Sequence, residues 1–208
     1  MTDAIGSLDV AWAVADRPRS GENVSGDRHL VQRRGEQVLA VVVDGLGHGP
    51  VAAEAAERAL AALAGSKSWH LVDMFQLCHL ALSGSRGVVM SAAVLDLQLA
   101  TVTWSGIGNV EGVVITPGRA GKDSLTTRSG VVGYDIPRLY APTHAIAPGS
   151  CLVLATDGIK PGFDTSVRPG EAPERSAQRI LADHGHSNDD ALVLVLLTRD
   201  GRSHVPGP

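Results

Sequence analysis

Residues 38–45 read Val-Leu-Ala-Val-Val-Val-Asp-Gly, a continuous apolar run that ends in an aspartate. Residues 151–158, Cys-Leu-Val-Leu-Ala-Thr-Asp-Gly, show the same arrangement. Residues 189–197 show it in reverse, because Asp-Asp precedes the apolar run Ala-Leu-Val-Leu-Val-Leu-Leu. Continuous apolar runs of this length are typical of β-strands that are covered on both faces. The three stretches therefore predict buried strands, each with an aspartate at one end.

The aspartates at the strand ends predict a cation site. If the third strand runs antiparallel to the other two, its first residues lie beside their last residues. Asp44, Asp157 and Asp189 then converge at one rim of the sheet, and Asp190 adds a fourth carboxylate. Carboxylates crowded in this way repel one another strongly unless cations neutralise them. The pattern indicates a divalent-metal site.

The composition is that of an ordinary globular protein. The 208 residues suffice for one core, so we expect a single domain over residues 1–200 and a disordered tail at 201–208. A net charge of −4 without a basic stripe argues against nucleic-acid binding. Cys78 and Cys151 lie in apolar segments, as small core residues do in a reducing compartment. With no signal peptide and no long apolar stretch, the sequence predicts a cytoplasmic monomer that does not engage a membrane.

The order of the predicted elements favours an α+β layered domain. Periodicity and cap residues predict three helices, at residues 51–64, 71–82 and 173–182. Strands precede the first two helices, more strands follow them, and one strand follows the last helix. Gly108-Asn109 is a turn signal between the strands predicted at 101–107 and 110–116. The polar, Gly- and Pro-rich stretch 162–173 is predicted to be a loop.

Four acidic motifs together carry a resemblance to a known family. In chain order they are GENVSGD (21–27), DGLGHG (44–49), TDG (156–158) and NDD (188–190). A single Asp-Gly pair is common in turns, but the ordered set resembles the metal-dependent PPM, or 2C-type, protein serine/threonine phosphatases. The strings GIGNV (106–110) and SGVVG (129–133) make it most similar to the SpoIIE-like branch, and there to small single-domain phosphatases of the bacterial stressosome.

This resemblance implies a fold, a cofactor and a set of ligands. The family fold is an αββα sandwich of two mainly antiparallel sheets flanked by helices, with two Mn²⁺ or Mg²⁺ ions at one end. On the matching positions of this sequence, Asp44 would bridge both ions and the Gly45 carbonyl would ligate one. Asp157 and Asp189 would bind one ion of the pair. Asp27 would hold the other side of the cluster, directly or through water.

The chemistry of these residue types agrees with a hard divalent cation. Carboxylate, carbonyl and water oxygens suit Mg²⁺ or Mn²⁺ better than zinc. Two such ions lower the pKa of a bridging water and neutralise phosphate oxygens during in-line attack. Gly45 suits backbone ligation, because the missing side chain lets the main chain approach an ion closely.

Four further residues are weaker candidates. Some family members have a histidine directly after the Asp-Gly pair, and His48 lies two residues beyond that position. His48 is therefore either a proton donor for the leaving group or a cap of the following helix. Arg17 and Arg19 precede the first acidic motif and are candidate phosphate ligands. Asp190 should point away from Asp189, because consecutive strand residues face opposite sides.

The sequence thus predicts a Mn²⁺- or Mg²⁺-dependent phosphatase that acts on phosphoserine or phosphothreonine. By resemblance, its substrates would be phosphorylated STAS-domain proteins of a stressosome. Two alternatives stay open: a non-catalytic module that binds a phosphoprotein, and a metal phosphoesterase for small molecules. The presence of all four acidic motifs disfavours the first. An aromatic content of 3% disfavours the specific base- or sugar-binding pocket that the second would need.

Overall fold

The computed structural model describes residues 7–201, which form ten β-strands and three α-helices. The strands are β1 (Leu8–Arg17), β2 (Asp27–Arg34), β3 (Gln37–Gly45), β4 (Val88–Asp96), β5 (Thr101–Ile107), β6 (Glu111–Ile115), β7 (Asp123–Leu125), β8 (Thr143–Ala145), β9 (Cys151–Ala155) and β10 (Ala191–Asp200). The helices are α1 (Gly49–Ala64), α2 (Leu71–Ala81) and α3 (Pro173–His184). Of the tail predicted at 201–208, only Gly201 is among the described residues, and its N–H donates to the Ser7 carbonyl at 3.1 Å.

The strands form two antiparallel sheets of five strands each. The first has the order β1-β10-β9-β6-β7 and the second the order β2-β3-β4-β5-β8. Helix α3 packs on the outer face of the first sheet, and helices α1 and α2 pack on the outer face of the second. This is an αββα sandwich, and the predicted α+β class is confirmed.

Strand β3 shows why the apolar runs are continuous. Val38 and Val42 face the other sheet and belong to the cluster between the sheets. Leu39 and Val43 point the other way and pack with α1 and α2. Because side chains alternate along a strand, a strand between a second sheet and a helix layer must be apolar at both sets of positions. Burial of both faces is thus the physical cause of the sequence pattern.

One expectation about the strands is wrong. Asp44 and Asp157 do not lie at the rim of one sheet, because β3 belongs to the second sheet whereas β9 and β10 belong to the first. Gly108-Asn109 lies between β5 and β6, as expected, and these strands belong to different sheets, since β5 pairs with β4 and β8, and β6 pairs with β7 and β9. This turn carries the chain from one sheet to the other. A turn signal specifies a local change of chain direction, but it does not determine which strands pair with each other.

The remaining differences are local. Helix α1 begins two residues earlier than expected, with Pro50 in its first turn. The predicted loop at 162–173 contains a 3₁₀ turn, Phe163–Ser166, whose phenylalanine is buried against the first sheet. Within residues 7–201, no helix has the length and apolar character needed to cross a bilayer.

Candidate metal centre

One end of the sandwich contains an acidic cavity of about 550 Å³, and Asp44, Asp157 and Asp189 line it. Asp44 comes from the end of β3 in the second sheet. Asp157 follows β9 and Asp189 precedes β10, and these two strands are antiparallel neighbours in the first sheet. The three carboxylates therefore meet across the gap between the two sheets. The other residues of the cavity wall are Leu46, Gly47, Val89, Gly108, Asn109, Ser129 and Gly130.

Asp27 lies behind this cavity. It is directly opposite Asp44 in the ladder between β2 and β3, so the two side chains leave the same face of the sheet. Asp27 is only 4% exposed. One of its carboxylate oxygens accepts a hydrogen bond of 2.7 Å from the Thr156 hydroxyl. The residue before Asp157 thus holds Asp27 in place from the opposite sheet.

Burial and mutual repulsion perturb the acidic side chains of the site. Burial, followed by the charges of Asp27 and Asp157, raises the pKa of Asp44 to about 8. Burial is also the main reason that the pKa of Asp27 rises to about 7. The pKa of Asp157 is raised by burial and by the charge of Asp189. A cation in the cavity would offset the repulsion and lower these pKa values, because it favours the ionised carboxylates.

The donors fit Mg²⁺ or Mn²⁺ with water completing the coordination. Among residues 7–201, no three acidic, histidine or cysteine side chains are grouped closely enough to hold an ion by themselves. Mg²⁺ usually keeps several waters and binds one or two carboxylates, so it needs no protein cage. Structural zinc, by contrast, takes clustered sulfur and nitrogen ligands. The two free cysteines, Cys78 and Cys151, lie in separate apolar clusters.

Two polar residues orient the acidic site. The Asn109 side-chain amide donates a hydrogen bond of 2.6 Å to Asp157. Asn109 belongs to the GIGNV string, and this motif is the sequence signal that could have identified it as a residue of the site. Asp190 is buried and accepts hydrogen bonds from the backbone N–H groups of Arg19 (2.8 Å) and Gly26 (2.7 Å). Asp190 therefore ties the loop between β1 and β2 to the start of β10.

Gly45 is required by the packing of helix α1. A Cβ atom at this position would collide with the carbonyl oxygen of Ala52, which lies in the first turns of α1. The Gly45 N–H also donates to the Gly26 carbonyl, at 3.2 Å. Three main-chain segments thus meet beside the cavity, and the glycine permits their close approach.

The structure places the weaker candidates away from the cavity wall. His48 occupies the N-cap position of α1 without a side-chain cap hydrogen bond, and its Nδ1 pairs with Glu22 at 2.8 Å. The Arg17 guanidinium donates to the His186 carbonyl at 2.6 Å. Arg19 takes part through its backbone N–H, which binds Asp190. Local hydrogen bonds thus account for the side chains of His48 and Arg17 and for the main chain of Arg19.

An arginine that sequence reasoning missed lies beside the cavity. Arg86 follows α2, and its Nη1 atom packs against Gly47, where an added Cβ would lie 2.8 Å away. Gly47 is part of the cavity wall. Arg86 is exposed, and it forms no ion pair with any acid in the described part of the chain. No local signal indicates this residue, because the fold alone brings the α2–β4 connection to the site.

An αββα sandwich with aspartates from both sheets around one cavity is the architecture of the 2C-type phosphatases. Residues 34–199 match the family model described as Stage II sporulation protein E (SpoIIE). The chain therefore belongs to the SpoIIE family, which makes it a phosphatase of the 2C type.

Similar proteins agree with this membership. Phosphoserine phosphatase RsbX of Bacillus subtilis (strain 168) is 22% identical over 179 residues, which cover 86% of this chain and 89% of RsbX. A solved structure from the bacterial stressosome, a modular system adapted to control secondary messenger signalling, is 30% identical with a TM-score of 0.84. That match covers 90% of this chain and 99% of the other. A crystal structure of RsbX in complex with magnesium gives a TM-score of 0.82 at 19% identity, covering 91% and 95% of the two chains, and confirms the fold.

Proposed function

We propose that this chain is a protein serine/threonine phosphatase that needs two Mg²⁺ or Mn²⁺ ions and hydrolyses phosphoserine or phosphothreonine on regulatory proteins. The observation that carries the proposal is the cavity in which Asp44, Asp157 and Asp189 meet, in a chain of the SpoIIE family. The raised pKa values of Asp44 and Asp27 support it, because they show carboxyl groups that a cation would stabilise.

The residues that would hold the two ions are those that the resemblance to the 2C-type phosphatases implies. Asp44 would hold the ions from the second sheet, together with the Gly45 carbonyl. Asp157 and Asp189 would bind from the first sheet, and Asp27 would act from behind Asp44, directly or through water. When bound, such ions acidify a water molecule and neutralise the phosphate oxygens.

Other residues of the chain would orient these ligands and the substrate. Asn109 restrains the Asp157 carboxylate through its hydrogen bond. Outer partners of this kind fix the orientation of ligands and tune their affinity. Arg86 is placed to bind a phosphate oxygen at the Gly47 side of the cavity, since a guanidinium offers parallel N–H donors to phosphate.

The cavity wall supports a protein substrate. No aromatic side chain lines it in the described part of the chain, so it offers no platform on which a nucleobase or sugar would stack. We propose phosphorylated STAS-domain proteins of a stressosome, in the cytoplasm, as the substrates. Similarity to RsbX and to the stressosome structure supports this choice. Removal of the phosphate would reset such a protein so that it recaptures its partner kinase.

The experiment measures turnover of p-nitrophenyl phosphate by the chelator-treated protein, before and after addition of Mn²⁺ or Mg²⁺. We expect turnover to require the metal and to fall at least about a hundredfold in Asp44→Asn. Asp73→Asn, an exposed aspartate on α2 that pairs with His70, is the matched control and should keep full activity. Turnover without metal, or an unaffected Asp44→Asn, would contradict the proposal.

A second measurement addresses the substrate class. A phosphorylated STAS-domain protein is incubated with the metal-loaded enzyme, and loss of phosphate is followed by intact mass. Loss of phosphate that requires Asp44 supports the proposal. An enzyme that cleaves p-nitrophenyl phosphate but leaves phosphoproteins intact would instead be a small-molecule phosphoesterase. An enzyme inert on both would be a binding module.

A further inference from the structure

Both tyrosines of the chain are exposed on the segment that joins β7 to β8. Tyr134 is 86% exposed and Tyr140 is 54% exposed. The chain has only two phenylalanines and three tryptophans besides, and both phenylalanines and two of the tryptophans are buried. In a chain with few aromatic residues, two exposed rings on one segment are unusual and call for an explanation.

The segment is firmly attached to the fold, so loose packing does not explain this exposure. Val132 forms two backbone hydrogen bonds with Val88 of β4, at 3.0 and 2.8 Å. The Gly133 N–H donates to His79 of α2 at 3.1 Å. Leu139 is buried in the cluster beneath α1 and α2. The tyrosines therefore project from an anchored scaffold.

Two arginines flank the second tyrosine. The guanidinium carbons of Arg128 and Arg138 lie 5.3 and 5.5 Å from the centre of the Tyr140 ring, within the range of cation–π contacts. Both arginines are exposed. Neither forms an ion pair with a carboxylate within residues 7–201. The ring thus holds two unneutralised positive charges on a protein whose net charge is −4.

This surface is continuous with the acidic cavity. Arg128 directly precedes Ser129 and Gly130, which belong to the cavity wall. Backbone hydrogen bonds from Arg128 to Gly106 (3.0 Å) and from Gly108 to Arg128 (2.8 Å) fix this point of the segment. A chain that leaves the cavity on this side therefore meets the arginines first.

We propose that Arg128, Tyr134, Arg138 and Tyr140 form a docking surface for an acidic segment of the phosphoprotein whose phosphorylated residue enters the cavity. The inference rests on the proposed phosphatase function. Guanidinium groups pair with carboxylates, and tyrosine and arginine dominate the strongest contacts of protein interfaces. Rings held on an anchored segment lose little conformational entropy on binding. The arginines also offset the repulsion between an acidic segment and the aspartates of the site.

The test uses two phosphoserine peptides of equal length, one with aspartate and glutamate on both sides of the phosphoserine and one with alanine and serine. The kcat/KM of the metal-loaded enzyme is measured for both peptides and for p-nitrophenyl phosphate. We expect a preference of about tenfold for the acidic peptide, which high salt should abolish. The double variant Arg128→Ser/Arg138→Ser should lose the preference and keep the activity on p-nitrophenyl phosphate.

Single variants separate docking from a general loss of structure. Tyr140→Phe keeps the ring and should keep the preference, whereas Tyr140→Ala should reduce it, because the arginines lose the group that holds them. Arg175→Ser, at an exposed position of α3 on the other sheet, is the control and should change nothing.

The outcomes distinguish the docking surface from the phosphatase itself. A wild type that turns over p-nitrophenyl phosphate but treats both peptides alike would overturn the docking surface only. Equal losses on p-nitrophenyl phosphate and on the acidic peptide in the double variant would also overturn it, since the arginines would then act on the phosphate. Fluorescence anisotropy of the labelled peptides measures their Kd values and needs no turnover. These Kd values should rank the two peptides in the same order. An enzyme with no turnover would therefore refute the phosphatase function and still test docking.

Discussion

Raising the pH from 6.5 to 8 should destabilise the metal-free protein through Asp44 and Asp27. Burial is the main cause that raises the pKa of Asp44 to about 8 and that of Asp27 to about 7, from an ordinary value of 3.8. The folded protein therefore holds protons that the unfolded chain has already released at these pH values. A carboxyl group of this kind stabilises the fold at low pH, and the stabilisation is lost as the pH rises through the folded pKa.

The size of the effect follows from the two pKa values. A proton held only by the folded state corresponds to about 1.4 kcal/mol per pH unit. Integrated from pH 6.5 to 8, the wild type loses about 2 kcal/mol through Asp44 and about 1 kcal/mol through Asp27. Asp44→Asn removes the first contribution. Its free energy of unfolding should therefore rise, relative to the wild type, by about 2 kcal/mol across this interval.

Urea denaturation of both proteins in EDTA, at several pH values, measures this difference. Shifted groups outside the acidic site cancel in the comparison, because both proteins contain His29, whose pKa is lowered by burial, and Cys78 and Cys151, whose pKa values burial raises to about 12. Saturating Mg²⁺ should reverse the trend in the wild type, since a cation favours the ionised carboxylates. A difference that stays constant with pH would refute the reasoning, because Asp44 would then be ionised in the metal-free fold.

Three further substitutions test the neighbours of the site. Arg86→Ala should lower kcat/KM for p-nitrophenyl phosphate by about tenfold or more, and Arg86→Lys by less, because a charged hydrogen bond to phosphate is lost or weakened; unchanged kinetics would remove Arg86 from the site. Asn109→Ala should raise the Mg²⁺ concentration for half-maximal activity about tenfold, as Asp157 loses its restraint; an unchanged metal titration would contradict this. Gly45→Ala should cost about 1–3 kcal/mol in urea denaturation through its clash with α1, while Gly65→Ala, which meets only ordinary contacts, should be nearly neutral.

The acidic strand ends show how much the sequence alone determined. The apolar runs before Asp44 and Asp157, and the run after Asp190, are strands in the structure. Hydrophobic periodicity and cap residues act over a few residues, so a local reading was sufficient for these elements. The ordered acidic motifs also indicated the family, because the same short strings must recur wherever the same cation chemistry is built on this fold.

Only the tertiary structure decided which elements meet. It showed that Asp44 and Asp157 line one cavity from two different sheets, and that Gly108-Asn109 connects these sheets. It also brought Arg86 beside the cavity and exposed both tyrosines on the segment that contributes Ser129 and Gly130 to the cavity wall. Strand partners and loop neighbours depend on contacts between residues far apart in the chain. Bringing such residues together costs conformational entropy, and only the complete packed core offsets that cost. The sequence of a short segment does not specify those distant contacts.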